Sequence, residues 1–224
     1  MRKVIIVTGF ALALISNRSF AQAAYLKDVN GRPITSTEYV EVKGSPYLTV
    51  TWNKGSVKFA NGTNIGDVEL MYDQVKGQLL YKKPGSEDVT MTFTDPVQEF
   101  LISNVNGRDR YFIKGKESDG LTGSVFYEVV YNGNTKLVKQ TQKQISEQSQ
   151  YGSATKTKII EEKFVYFLLP ASGEKIQLQK DIQPMLAAIG SKRNKIEEYL
   201  KNDKLNLKNE SNLISFAKFY DTLN

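Results

Sequence analysis

The sequence predicts an α+β fold: an antiparallel β meander, sandwich-like or curled, of about 8–11 strands, with a small C-terminal helical segment. Three observations predict it. From Ser45 to Ser103 short runs alternate apolar and polar residues, the period of a half-buried strand. Asn61-Gly62, Lys76-Gly77 and Pro84-Gly85 separate those runs and supply the backbone angles that tight turns need. Near Asp181 the apolar period changes from two to between three and four.

Taken in order, Met1 to Ala23 reads as a secretory signal peptide. Arg2 and Lys3 form a positive end, Val4 to Ile15 is apolar but too short to span a bilayer, and small residues place cleavage after Ala21 or Ala23. The expected organisation is therefore a signal peptide over 1–23, an antiparallel β domain over 24–179, and helices packed on it over 180–224. The expected location is periplasmic or secreted, with no transmembrane segment after signal removal.

Glu38 to Lys43 alternates weakly and reads as an edge or leading strand. In the meander Val57 and Phe59 share one face against Ser56 and Lys58, and Val68, Leu70 and Tyr72 share one against Asp67, Glu69 and Asp73. Val89, Met91 and Phe93 repeat the pattern. After an Asn106-Gly107 turn, Arg110 to Lys114 reads as a strand centred on Tyr111 and Ile113. Ser124 to Tyr131 is apolar on both faces, which predicts a strand covered on both sides. Asn132-Gly133-Asn134 turns the chain into Leu137 to Thr141. Gln140 to Thr157, rich in Gln, Ser and Thr, reads as an exposed, mobile excursion. Phe164 to Leu169 and Lys175 to Leu178 form a last hairpin around Ala171 to Glu174. Three helices follow: Asp181 to Ile189 ended by Gly190, Ser191 to Leu200, and one capped by Asn209 or Ser211 with the stripe Leu213, Phe216, Ala217, Tyr220 and Leu223.

Composition excludes whole classes of chemistry. The chain has no cysteine and no histidine. Disulfides, thiolate nucleophiles, thiolate zinc sites, and serine–histidine or cysteine–histidine catalysis are therefore excluded. The net charge of +6 includes Arg2, Lys3 and Arg18, so the chain without its leader carries +3. That is ordinary solubility charge, and no nucleic-acid partner is expected.

The run Gly44-Ser45-Pro46-Tyr47-Leu48, then Trp52, Gly55, Val57, Gly62, Val68, Leu70, Tyr72 and Leu79, and the later Phe126-Tyr127-Glu128-Val129-Val130-Tyr131, resemble a family of exported β-rich proteins of Bacteroidota with a helical C-terminus. The likeness covers most of the chain after the leader. It implies a periplasmic or secreted β domain and assigns no activity, since the shared positions are turn glycines and core aromatics.

Four sets of residues are candidates for a site. Tyr47 and Trp52, the single tryptophan, could form an aromatic platform for a sugar or peptide; the plainer reading is a core or strand-edge pair. Glu69, Asp73 and Glu99 could gather as hydrolytic carboxylates; the plainer reading is a solvated sheet face. Asp28-Val29-Asn30-Gly31 and Asn104 to Asp109 resemble the start of a calcium loop, but without the bidentate Glu they read as Asn-Gly turns. Lys192, Arg193, Lys195, Lys201, Lys204 and Lys208 make the C-terminal helices basic, interrupted by Glu197, Glu198, Asp203 and Glu210. No cofactor and no metal are expected. The expectation is a non-enzymatic envelope or secreted module that binds a protein, glycan or lipid partner; the alternative is a carboxylate-dependent hydrolase acting on envelope or extracellular polymers.

Overall fold

The computed structural model describes residues 31–33, 39–86, 89–149, 156–171, 175–179, 182–203 and 205–223. The leader, Asp28 to Asn30 of the first calcium-like run, and the tip of the 140–157 excursion lie outside the described residues.

One open, mixed sheet dominates. Its strands are β1 (Gly31–Pro33), β2 (Val42–Lys43), β3 (Asn53–Phe59), β4 (Asn64–Asp73), β5 (Gln78–Lys82), β6 (Thr90–Phe93), β7 (Val97–Val105), β8 (Arg108–Lys114), β9 (Phe126–Asn132), β10 (Lys136–Ser149), β11 (Lys156–Leu169) and β12 (Ile176–Leu178). Their order is β1-β6-β5-β4-β3-β7-β8-β9-β10-β11-β12, with every neighbour antiparallel and β2 alone pairing parallel to β11. The twelve strands exceed the expected number only through β1 and β2, which are three and two residues long.

Alternation builds the core as expected in β3 and β4. Val57, Phe59, Val68, Leu70 and Tyr72 are buried, and Ser56 and Lys58 are exposed. The sheet curls until β4 faces β9 across this inner surface. Tyr72 meets Phe100, Phe112 and Phe126 with ring centroids 5.2, 5.3 and 6.0 Å away. Edge-to-face pairs of this kind bind the curl together beyond simple area burial. Gly55 permits close strand approach: a Cβ there would stand 2.1 Å from the Leu101 carbonyl oxygen.

Further along, Phe126 packs into that core while Tyr127 packs on the opposite side with Leu121, Val138 and Phe167, so β9 is covered on both faces. The helices α1 (Ile182–Ile189), α2 (Arg193–Asn202) and α3 (Glu210–Asp221) close the inner face at the C-terminal half. Met185, Leu186, Ile196, Leu213 and Phe216 bury against Leu137, Leu168 and Ile176. Asn209 caps α3, its side chain accepting from Ser211 N at 2.8 Å. Ser191 makes no cap; Gly190–Lys192 forms a 3-10 turn between α1 and α2.

A polar joint lies between the two inner-face cores. Arg110 and Glu128 form a bidentate pair, both largely buried. Glu210, in the first turn of α3, accepts from Arg108 Nη2 at 2.9 Å, Lys139 Nζ at 3.2 Å and the Tyr166 hydroxyl at 2.8 Å. Six side chains from four strands and a helix are thus tied together, and the charged members satisfy one another where water is scarce.

Two expectations are corrected. Gln140 to Ser149 is strand, pairing residue by residue with Lys156 to Val165 and placing Ile145 opposite Ile160. Its polar composition reports exposure, whereas conformation is imposed by the partner strand. Strand β8 forms where expected, with Phe112 as its core residue and Tyr111 and Ile113 on the outer face. Strand β2 covers only Val42–Lys43, because Tyr39 to Glu41 form a turn with Glu41 at φ 65°.

Candidate functional site

The inward residues of three central strands determine what their outer face presents. Val57 and Phe59 inward leave Lys58 outward; Phe100 and Ile102 inward leave Glu99 and Leu101 outward; Phe112 inward leaves Tyr111 and Ile113 outward. The register sets Lys58 across from Glu99, and Leu101 across from Tyr111. Lys58 Nζ stands 3.1 Å from Glu99 Oε1, and the Tyr111 hydroxyl donates to Glu99 Oε2.

This triad sits where two depressions meet. One, of about 300 Å³, adds Ser56, Asn64 and Leu101. The other, of about 500 Å³, adds Lys114, the loop residues Lys116 and Asp119, the β9–β10 turn residues Asn132, Asn134 and Lys136, and Leu169-Pro170. Because both contain Lys58, Glu99 and Tyr111, they form one continuous groove.

The groove is electropositive. Lysines 58, 114, 116 and 136 oppose the carboxylates of Glu99 and Asp119. The hydrogen bond from Tyr111, aided by Lys58, holds Glu99 below the usual carboxylate range. Burial, and then Glu99, push the Tyr111 phenol up to about 12. Lys114 donates to Ser124 O at 3.1 Å and lies 4.3 Å from the Phe126 ring centre; burial lowers its pKa. The Lys116 and Lys136 ammonium groups make no hydrogen bond or ion pair among the described residues, although the Lys116 charge also helps to lower Glu99. Such a surface can hold and orient polar or anionic groups through side chains.

Tyr47 and Trp52 are not in this groove. Tyr47 bridges to Asp73 and meets Tyr39 edge-to-face at 6.0 Å. Trp52 is half-buried under Lys82, whose Nζ lies 5.7 Å from the ring centre. No ring contact joins the two aromatics among the described residues. Lys82 also lines a separate depression of about 620 Å³ with Lys54, Asp67 and Glu69. Two ion pairs cross it, Lys54–Asp67 at 3.0 Å and Lys82–Glu69 at 3.8 Å.

The three sequence-marked carboxylates are not brought together. Asp73 is 3% exposed: its Oδ1 accepts from Val75 N and Lys76 N, and its Oδ2 accepts from the Tyr39 hydroxyl at 2.7 Å. It caps the turn after β4, and Pro46 to Leu48 pairs through backbone hydrogen bonds with Tyr72 to Gln74 beside it, so the expected solvation is lost. Glu69 lies opposite Lys54, while Glu99 lies opposite Lys58 on the other flank of β3. Four residues of strand separate those positions by about 13 Å, beyond the roughly 5–9.5 Å that paired glycosidic carboxylates need.

The Asn104 to Asp109 run is the tip of the β7–β8 hairpin, with Asn106-Gly107 as its turn. Asn106 and Gly107 take φ of 53° and 80°, and Asp109 accepts from Asn104 N at 3.0 Å. Among the described residues no group of three or more acidic side chains is placed to hold a metal. On the helices Arg193 pairs with Glu197 at 2.8 Å, and Lys192 lies 4.6 Å from the Tyr220 ring centre.

The sequence offered no signal for the groove as a unit. Its side chains come from widely separated segments, and only the sheet order makes them neighbours. No protein-family model, curated protein or solved structure matches the chain.

Proposed function

We propose that this chain is an exported, non-enzymatic module of the envelope or the secreted fraction that binds a partner in the groove across β3, β7 and β8. The observation that carries the reading is the groove itself: a trough of mixed polar and apolar lining on paired strands, with the Lys116 and Lys136 ammonium groups in no ion pair among the described residues. Binding sites built on paired strands keep their side chains in place before the partner arrives, which lowers the ordering cost of association.

Export rests on the leader-like Met1 to Ala23 segment and on the resemblance to exported β-rich proteins of Bacteroidota. No helix among the described residues is long and apolar enough to cross a membrane. The separation of Glu69, Asp73 and Glu99 gives no support to the hydrolase alternative.

The absence of cysteine allows a clean test. Lys116→Cys in the groove and Lys195→Cys on exposed α2 are each coupled to a bulky polyethylene-glycol maleimide. Co-sedimentation with the envelope fraction should be lost for the first and kept for the second. Equal retention of both would remove the groove from the binding surface.

A further inference from the structure

Resting on that reading, we infer that the groove's ligand is an acidic glycan, a polar sugar chain bearing carboxylate, sulfate or phosphate groups. Charge comes first. Lys116 and Lys136 form no ion pair among the described residues, and the two carboxylates of the lining, Glu99 and Asp119, face four lysines, one of which, Lys58, is paired with Glu99. A partner carrying regularly spaced negative charge completes this arrangement, and one carrying positive charge is repelled.

The mode of recognition then selects the polymer. β3, β7 and β8 are interior strands, with ladder partners on both sides. Their backbone groups are already paired, so an extended peptide cannot add as a strand on the groove floor. A helical peptide needs a continuous apolar stripe, and here Phe59, Ile113, Leu169 and Pro170 are interrupted by lysines, Asn132, Asn134 and Tyr111. Side-chain amides, ammonium groups and a phenol ring suit hydroxyl-rich, anionic sugars.

The test uses the full chain after export and three probes: polygalacturonate, neutral dextran of similar length, and poly-glutamate. Polygalacturonate should bind saturably and weaken as salt rises. Lys116→Gln with Lys136→Gln should weaken it about five- to tenfold, and Lys116→Arg with Lys136→Arg should restore it. Both positions are exposed, so these variants keep the fold, which circular dichroism checks. Equal binding of dextran, or a Gln pair with unchanged affinity, would overturn the anionic assignment. Poly-glutamate binding as tightly would overturn the glycan assignment. No binding of any probe would overturn the inference as well; the binding-module reading would fall only if the maleimide-blocked groove also retained envelope association.

Discussion

The Glu210 carboxylate, in the first turn of α3, accepts from Arg108 Nη2 at 2.9 Å across 102 residues of sequence. Burial alone would raise its pKa, but hydrogen bonds from Tyr166 and Arg108, together with Lys139, hold it at about 2. A carboxyl group depressed in the folded state stabilises above its unfolded value of about 4.3, and that contribution is lost as pH falls towards 2. Glu210→Gln should cost roughly 1–3 kcal/mol near neutrality and flatten the acid limb of stability. Urea midpoints at pH 7, 5 and 3 check this; parallel curves for the two proteins would contradict it.

Tyr111 gives the alkaline counterpart. Its phenol, raised to about 12 by burial and by Glu99, favours the protonated form when folded. That contribution is complete below the ordinary tyrosine value of about 10 and disappears as pH rises through the folded value. An absorbance titration should show phenolate forming late, above about pH 11, and Tyr111→Phe should remove part of that late phase. A single transition near 10 with nothing lost in the variant would count against the Glu99 contact.

The helices depend on Phe216, which is fully buried against the sheet. Phe216→Ala should cost about 3–5 kcal/mol, the usual range for truncating a core aromatic. Phe164 is 53% exposed, and Phe164→Ala should cost about 1 kcal/mol or less, chiefly its contact with Lys139. Denaturant midpoints that moved equally would show that the helices are not docked as described.

Gly55 tests the β3–β7 approach. A Cβ there would collide with the Leu101 carbonyl and crowd Leu70 at 2.6 Å. Gly55→Ala should lower stability by roughly 2 kcal/mol or more, because backbone must move to admit it. Thermal melting decides; an unchanged midpoint would mean that the strands are spaced more widely.

Local signals in the sequence located most of the elements. The alternation of Val57 and Phe59, the Asn106-Gly107 turn, and the Leu213–Phe216–Tyr220 stripe are each read within a few residues, and each element formed where it was expected. Failures came where distant chain decides. Gln140 to Ser149 becomes strand because Lys156 to Val165 lies beside it. Asp73 is buried where Pro46 to Leu48 pairs beside it and the Tyr39 hydroxyl reaches its carboxylate. Which face Phe112 takes is set by its register with Phe100, on which it stacks at 4.6 Å. The groove belongs to this second kind: Lys58, Tyr111, Lys116 and Lys136 carry no spacing that marks them as neighbours.

Hydrogen–deuterium exchange on the chain, free and bound to envelope fraction, tests the central claim that the groove is the binding surface. Bound chain should show slowed exchange in the 115–120 loop and the 133–135 turn, which flank the groove, with α2 and the β4–β5 turn unchanged. Protection confined to α2 and α3, or to the Trp52 side of the sheet, would contradict the account.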